Sequence, residues 1–219
     1  MELFKKNNLL PLISPLLPNN PIVVEAGAFN GADTKEISQF WPQGTIHAFE
    51  PVPEIFTKLK KNTSDLHNVV RHEIALSTAT GNTIFYVSEK PSRPGEPFKA
   101  GSLLKPKERL KWSDIEYKKT INVPTITLDD WAQKNNVTHI DFMWLDVQGH
   151  ALHILKAAPQ LLKTIKILFV EVEFIQAYEN QYQYNDVKTW LEQNGFVEIG
   201  RDFENTNKWF YGNALFRKK

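Results

Sequence analysis

The sequence predicts an α/β fold, doubly wound around a mostly parallel sheet. Three observations predict it. Short apolar runs alternate with segments of helical periodicity, the pattern of strands joined by crossover helices. A glycine turn follows the first apolar run. Polar residues gather directly after the apolar runs, where ligands sit in open α/β sheets.

Residues 22–24, Ile-Val-Val, read as the first strand; 27–31 form a turn and 32–40 a helix. Residues 45–49 read as a second strand, ended by Glu50-Pro51, and 54–62 as a helix with Ile55, Phe56 and Leu59 on one face. Residues 69–76 read as a third strand. Residues 83–87 alternate and are expected to pair with 123–127 as an insertion or sheet extension. Residues 88–120 carry Pro91, Pro94, Pro97 and Pro106 among scattered Lys and Arg, and read as a long excursion outside the core. The rhythm resumes with a helix at 128–135, a buried strand at 140–147, a helix at 151–158 and a buried strand at 165–174. A helix at 186–194 is stopped by Gly195, and 196–203 and 209–216 read as a terminal strand pair.

The chain has 219 residues, a length expected to form one domain over 1–219, with a leader at 1–20 and an inserted lid-like segment at 88–120. Hydrophobic residues make up 42% and charged residues 23%, ordinary for a water-soluble domain. The formal net charge of +1, without a basic stripe, argues against nucleic acid as a partner. The absence of cysteine excludes disulfides, thiolate zinc sites and cysteine nucleophiles, and fits a reducing, cytoplasmic setting. No run approaches the roughly 18 apolar residues of a membrane span. Lys5 and Lys6 before an apolar stretch at 9–17 imitate a signal peptide. Pro11, Pro15 and the Pro18-Asn19-Asn20-Pro21 sequence argue instead for a leader packed against the domain.

The strand ends carry the chemistry. In Glu25-Ala26-Gly27-Ala28-Phe29-Asn30-Gly31 the glycine turn lets a ligand approach the backbone, and the next helix offers N–H groups. A dinucleotide turn needs glycine where Phe29 stands, so the ligand expected is one without a pyrophosphate; Glu25 favours a cationic ammonium. Glu50, at the end of the second strand, suits a ribose diol. Asp146-Val147-Gln148-Gly149-His150 follows a very apolar strand. There Asp146 is expected to face the reacting centre and to raise the pKa of a catalytic His150. Glu171 and Glu173 share one strand face. With Asp146 and His150 they resemble a carboxylate–imidazole metal site, but no ligand motif is present and no metal is expected. Phe49, Trp131, Trp144 and Trp190 read as core.

Taken in order, several short motifs resemble the FkbM-type family of S-adenosylmethionine-dependent methyltransferases. They are residues 24–31, His47-Ala48-Phe49-Glu50-Pro51, Ile74-Ala75-Leu76-Ser77, Gly101-Ser102-Leu103, residues 123–130 and residues 140–155. The resemblance implies a Rossmann-like class I methyltransferase fold, whose seven-stranded sheet has an antiparallel last strand. It implies S-adenosyl-L-methionine as cofactor, with the methionine part cradled by Glu25, Gly27, Ala28, Asn30 and Gly31. Glu50 and Pro51 would hold the ribose, Ala75 would border the adenine and Asp146 the methyl group. O-methylation of a hydroxyl on a small sugar-like or natural-product acceptor is implied as well. The chain departs from the family pattern at Trp144, Gln148 and Ala151, where the family often has Lys, Glu and Glu.

The combined reading is an O-methyltransferase in which Asp146 and His150 are catalytic, and Ser102 and Glu173 contact a small-molecule, glycan-like acceptor. Two other readings remain open: an NAD-dependent oxidoreductase on a similar sheet, and a cofactor-binding module without turnover.

Overall fold

A computed structural model describes residues 2–5 and 8–219. The strands are β1 (Glu2–Leu3), β2 (Ile22–Ala26), β3 (Thr45–Phe49), β4 (Val69–His72), β5 (Ala75–Leu76), β6 (Gly81–Lys90), β7 (Arg93–Ser102), β8 (Glu116–Ile126), β9 (Phe142–Leu145), β10 (Ile167–Glu173), β11 (Phe196–Arg201) and β12 (Tyr211–Lys218). The α-helices are α1 (Leu9–Ile13), α2 (Ala32–Phe40), α3 (Pro53–Asn62), α4 (Arg109–Trp112), α5 (Leu128–Lys134), α6 (Ala151–Lys156) and α7 (Tyr184–Gln193).

The main sheet runs β1-β11-β12-β10-β9-β2-β3-β4. Within it β12 is antiparallel to both β10 and β11, and the other pairs are parallel. Setting aside the two-residue β1, this is the expected seven-stranded sheet with an antiparallel last strand; β1 adds a short eighth strand beside β11. From β2 at the centre the chain steps outward through β3 and β4, then returns to β9 on the other side of β2. The carboxyl ends of β2 and β9 therefore flank a topological switch point.

Alternation along the strands feeds two cores. Val24, Met143, Leu145, Leu168 and Val170 pack under α5, α6 and α7. Val23, Ile46, Phe142, Trp144 and Phe169 pack under α1, α2 and α3. A sheet covered on both faces has strands that read as continuous apolar runs, as these do. Helix starts follow their sequence: Pro53 opens α3, Thr127 Oγ1 accepts from Asp130 N at 3.0 Å, and Gln183 and Asp186 form a capping box. Phe49, Trp131 and Trp144 are core, and Trp190 packs against it half-buried. In the 1–20 stretch, Leu9, Leu10 and Ile13 are buried against the second core, while Lys6 lies outside the described residues.

Two expectations are corrected. Residues 69–76 are not one strand. β4 ends at His72 as the edge of the main sheet, and Ala75 and Leu76 pair with Thr125 and Ile126 in a second sheet ordered β5-β8-β6-β7. Residues 88–120, read as a long loop-like excursion outside the core, instead hold β7 and the adjoining parts of β6 and β8. Pro94 and Pro97 fit there because β7 is an edge strand with register shifts against β6, where an outward N–H or one at an irregularity can be missing without costing a ladder bond. The expected pairing of 83–87 with the chain near 123 holds, with Thr83 opposite Val123. It then runs to lower numbers, Val87 lying opposite Lys119, so 124–127 lie beyond it.

Candidate active site

The second sheet roofs a hollow over the carboxyl ends of β2, β3 and β9. It encloses about 650 Å³, its mouth included. Gly27, Glu50, Asp146 and His150 form part of its floor, and Ala75, Phe98, Lys99 and Gly101 come from the second sheet.

The floor is tight at Gly27. Its φ is +87°, and a Cβ there would lie 1.9 Å from the carbonyl oxygen of Asp146. Only a residue without a side chain lets β2 and β9 approach so closely. The N–H groups of Gly27, Ala28 and Phe29 are already engaged. Those of Gly27 and Ala28 donate to Phe49 O, at 3.1 and 2.9 Å, and that of Phe29 donates to Glu50 Oε2 at 3.1 Å. Phe29 also has a positive φ, +48°. These three donors thus brace the turn against β3 rather than forming an open anion nest.

Glu50 is 5% exposed, and its Oε1 accepts from Val52 N at 2.9 Å. Burial pushes its pKa up to about 8, against the two backbone donors, which favour the charged form. Pro51 and Ala75 line the hollow as well.

The other expected residues of the turn lie elsewhere. Glu25 is buried, and Thr34 Oγ1 donates to its Oε2 at 2.5 Å. Ala28 packs into the core under α2 and α3. Gly31 lies against Leu59 and Thr63, and Asn30 lines a neighbouring hollow.

Beyond β9 the side chains form a connected polar cluster. The Gln148 amide donates to Asp146 Oδ1 at 2.9 Å and to Glu171 Oε1 at 2.6 Å. The Tyr178 hydroxyl lies 3.0 Å from Gln148 Oε1, and the Tyr117 hydroxyl donates to Ala100 O at 2.9 Å. Acceptors thus flank both amide hydrogens and a donor meets the amide oxygen, which fixes the orientation of Gln148. Loss of water, then repulsion from Asp146 and Glu173, raises the Glu171 pKa well above the ordinary carboxylate range. Burial raises that of Glu173 to about 8, opposed by the positive charge of Arg109. Glu173 Oε1 is buried without a hydrogen-bond partner. Ser102 Oγ donates to Gln148 O at 2.8 Å and accepts from Leu104 N at 3.0 Å, clasping the second sheet to the main one.

The expected partnership of Asp146 with His150 is overturned. His150 Nε2 lies 3.2 Å from Ser77 Oγ, its ring stacks on His153, and Nδ1 is buried without a hydrogen-bond partner. Burial, then the neighbouring His153, lowers its pKa to about 3, the opposite of the expected rise. Its imidazole is therefore neutral at physiological pH. Among the described residues, no group of three or more His, Asp or Glu is arranged to hold a metal ion.

Sequence reasoning missed Gln148, Tyr178, Tyr117, Arg109 and Lys99. The polar position of Gln148 between Asp146 and Gly149 was visible, but its role depends on Glu171 and Tyr178, which are distant in sequence.

A seven-stranded sheet of this order, with a walled hollow at its switch point, defines the class I methyltransferase fold. The chain belongs to the family described as the methyltransferase FkbM domain, whose model matches residues 25–198. It is 26% identical over 171 residues to the 2-O-methyltransferase NoeI of Sinorhizobium fredii, covering 78% of this chain and 70% of that protein. It is 24% identical over 131 residues to the hexuronic acid methyltransferase AglP of Haloferax volcanii, covering 59% and 48%. In fold alone it is similar to M. capricolum TrmK, solved with S-adenosylhomocysteine. The TM-score is 0.51 at 9% identity, over 100% of this chain and 70% of that one. Among the described residues no helix is long and apolar enough to cross a membrane.

Proposed function

We propose that this methyltransferase moves the sulfonium methyl of S-adenosylmethionine to a hydroxyl oxygen of a small, sugar-like or natural-product acceptor in a reducing, cytoplasmic setting. The observation that carries the reading is the hollow itself, which brings Gly27, Glu50, Ala75 and Asp146 together outside the strand ends. These residues fit the cofactor. Gly27 gives backbone clearance, the Glu50 carboxylate suits a ribose diol, and Ala75 with Leu76 offers an apolar edge for the adenine. The relatives that methylate 2-hydroxyls or hexuronic acids, by their names, support an oxygen acceptor.

The cofactor supplies an electrophilic methyl group, and the protein aligns the hydroxyl with it. Asp146, on the wall of the hollow, takes the hydroxyl proton, and Gln148 holds Asp146 in place. His150 stands beside Ser77, near Ala75, so its unpartnered Nδ1 serves the adenine end rather than the reacting oxygen. Ser102 and Glu173 stand behind the wall and act on the acceptor through Gln148 and Glu171. The second sheet, with the 88–120 segment in it, serves as the lid of one catalytic unit.

Calorimetric titration with S-adenosylmethionine and S-adenosylhomocysteine tests the reading. Micromolar binding, about −8 kcal/mol, is expected; a folded protein that releases no heat with either ligand refutes it.

A further inference from the structure

We propose that a second hollow, opening beside the first, holds an anionic group of the methyl acceptor, so that the acceptor is a charged sugar-like molecule rather than a neutral one. The inference rests on the methyltransferase reading above and adds the acceptor's charge to it.

The second hollow encloses about 980 Å³, mouth included, and shares Phe29, Phe98 and Lys99 with the first. It therefore adjoins the proposed cofactor site across these three residues. Its charged lining is one-sided: Lys58 from α3, Lys90 from β6, and Arg93 and Lys99 from β7 face a single carboxylate, Glu96. The whole chain has a formal net charge of only +1, so this is a local concentration of positive charge.

Nearby acids offset only part of it. Glu96 approaches Arg93 at 4.0 Å, with both side chains more than half exposed, and such a pair holds little energy. Glu89 Oε2 accepts from Gly95 N at 2.7 Å, which commits it to the hairpin turn, and Glu54 pairs with Lys119 at 3.0 Å. Lys90 Nζ sits 4.8 Å from the Phe98 ring centroid, whose face steadies a cation without cancelling its charge. Among the described residues, no ion pair engages Lys58, Lys90 or Lys99.

Cations gathered without counter-charge repel one another, and a bound anion relieves that repulsion. The groove also adjoins the hollow that Asp146 lines. Lys99 lines both hollows, and its charge reaches Glu171, where it opposes the upward pKa shift. An acceptor whose anion rests among these cations thus lies with its remaining length toward Asp146. The chemistry required is a small polyhydroxyl compound bearing a carboxylate or a phosphate.

The test uses the full chain with and without saturating S-adenosylhomocysteine. Digalacturonate, glucose 1-phosphate and neutral cellobiose are titrated and followed by NMR, in the wild type and in Lys90→Glu/Arg93→Glu. The melting curve of the variant is checked first, and Lys58→Ala/Arg93→Ala stands in if charge reversal prevents folding. The expected result is saturable binding of at least one anionic probe and not of cellobiose, weakened about tenfold or more in the variant, with S-adenosylhomocysteine affinity unchanged. The digalacturonate and glucose 1-phosphate arms separate a carboxylate from a phosphate source. The inference is overturned if neither anion binds more tightly than cellobiose, or if the variant binds as the wild type does. It is also overturned if the variant loses S-adenosylhomocysteine affinity, because the cations then serve the cofactor. A wild type that fails to bind S-adenosylhomocysteine refutes the methyltransferase reading instead, and the titrations without cofactor still show whether the groove takes anions.

Discussion

Replacing Glu50 with glutamine separates the energetic cost of this carboxylate from its use. Glu50 is 5% exposed and its pKa is raised from 4.5 to about 8 by burial. Between these values the folded protein retains a proton that the unfolded chain has released. Folding stability therefore falls as pH rises through this window, by at most about 1.4 kcal/mol per pH unit for this one group. Below the window the carboxyl is protonated in both states and costs nothing extra. Glutamine is neutral throughout, but its amide nitrogen faces one of the two N–H groups, of Phe29 or Val52, that the carboxylate accepts from. That mismatch costs about 1–3 kcal/mol at every pH. The expected signature is a variant less stable than wild type near pH 5 that recovers steadily toward pH 8. Urea melts across this range measure it, and the difference between the two proteins cancels the buried histidines, whose lowered pKa values act oppositely. Two stability curves that run parallel with pH would refute the assignment of a costly buried charge to Glu50. In the same variant, S-adenosylmethionine affinity measured above pH 8, where Glu50 is ionised, is expected to fall by about 1–3 kcal/mol, because a charged acceptor for the ribose is lost. Unchanged affinity would remove Glu50 from the cofactor site while leaving the stability argument intact.

Three further outcomes follow from the site. Gly27→Ala places a Cβ against Asp146 O in a left-handed backbone conformation and is expected to cost about 2–5 kcal/mol in a denaturant melt; a change below 1 kcal/mol would show that β2 and β9 can part freely there. Gln148→Glu puts a further carboxylate between Asp146 and Glu171 and removes both amide donors; it is expected to destabilise by about 3–5 kcal/mol at pH 8 and less at pH 5, and equal losses at both would show that charge is not the cause. His150→Asn is expected to keep the shape of the wild-type pH–rate profile, because the His150 pKa of about 3 leaves the imidazole neutral throughout the working range. Loss of an inflection near pH 6–7 in that variant would restore His150 as the titrating base.

Local signals made much of the fold legible. α2 and β3 begin and end at the residues expected, because Gly31 and the Pro42-Gln43-Gly44 stretch punctuate the chain on the spot. Glu50 was legible for the same reason: an acid at the end of an apolar strand needs no distant partner to be noticed. The run 69–76 was misread because nothing local marks the crossing at Glu73 and Ile74. That break follows from β4 being the edge of one sheet and β8 offering the edge of another. The hairpin of β6 and β7 was hidden by prolines, which argue against a strand until its position at an edge is known.

Gln148 and His150 show where sequence reasoning stops, and they do so in opposite directions. Both follow the same strand, and both are polar residues placed where a ligand is expected. Sequence distance favoured His150, four positions from Asp146. In the structure the nearer, blander residue holds Asp146, while the imidazole turns to Ser77, 73 positions away in sequence. The difference lies in what surrounds each group. Gln148 has acceptors on its nitrogen and a hydroxyl on its oxygen, so burial is satisfied and its geometry is fixed. His150 has one partner for two ring nitrogens and a second histidine stacked at 4.8 Å, so burial lowers its pKa instead of poising it. A residue type announces what chemistry it can do. Its hydrogen-bond partners and its access to water decide what it does, and at this site the second sheet supplies much of both.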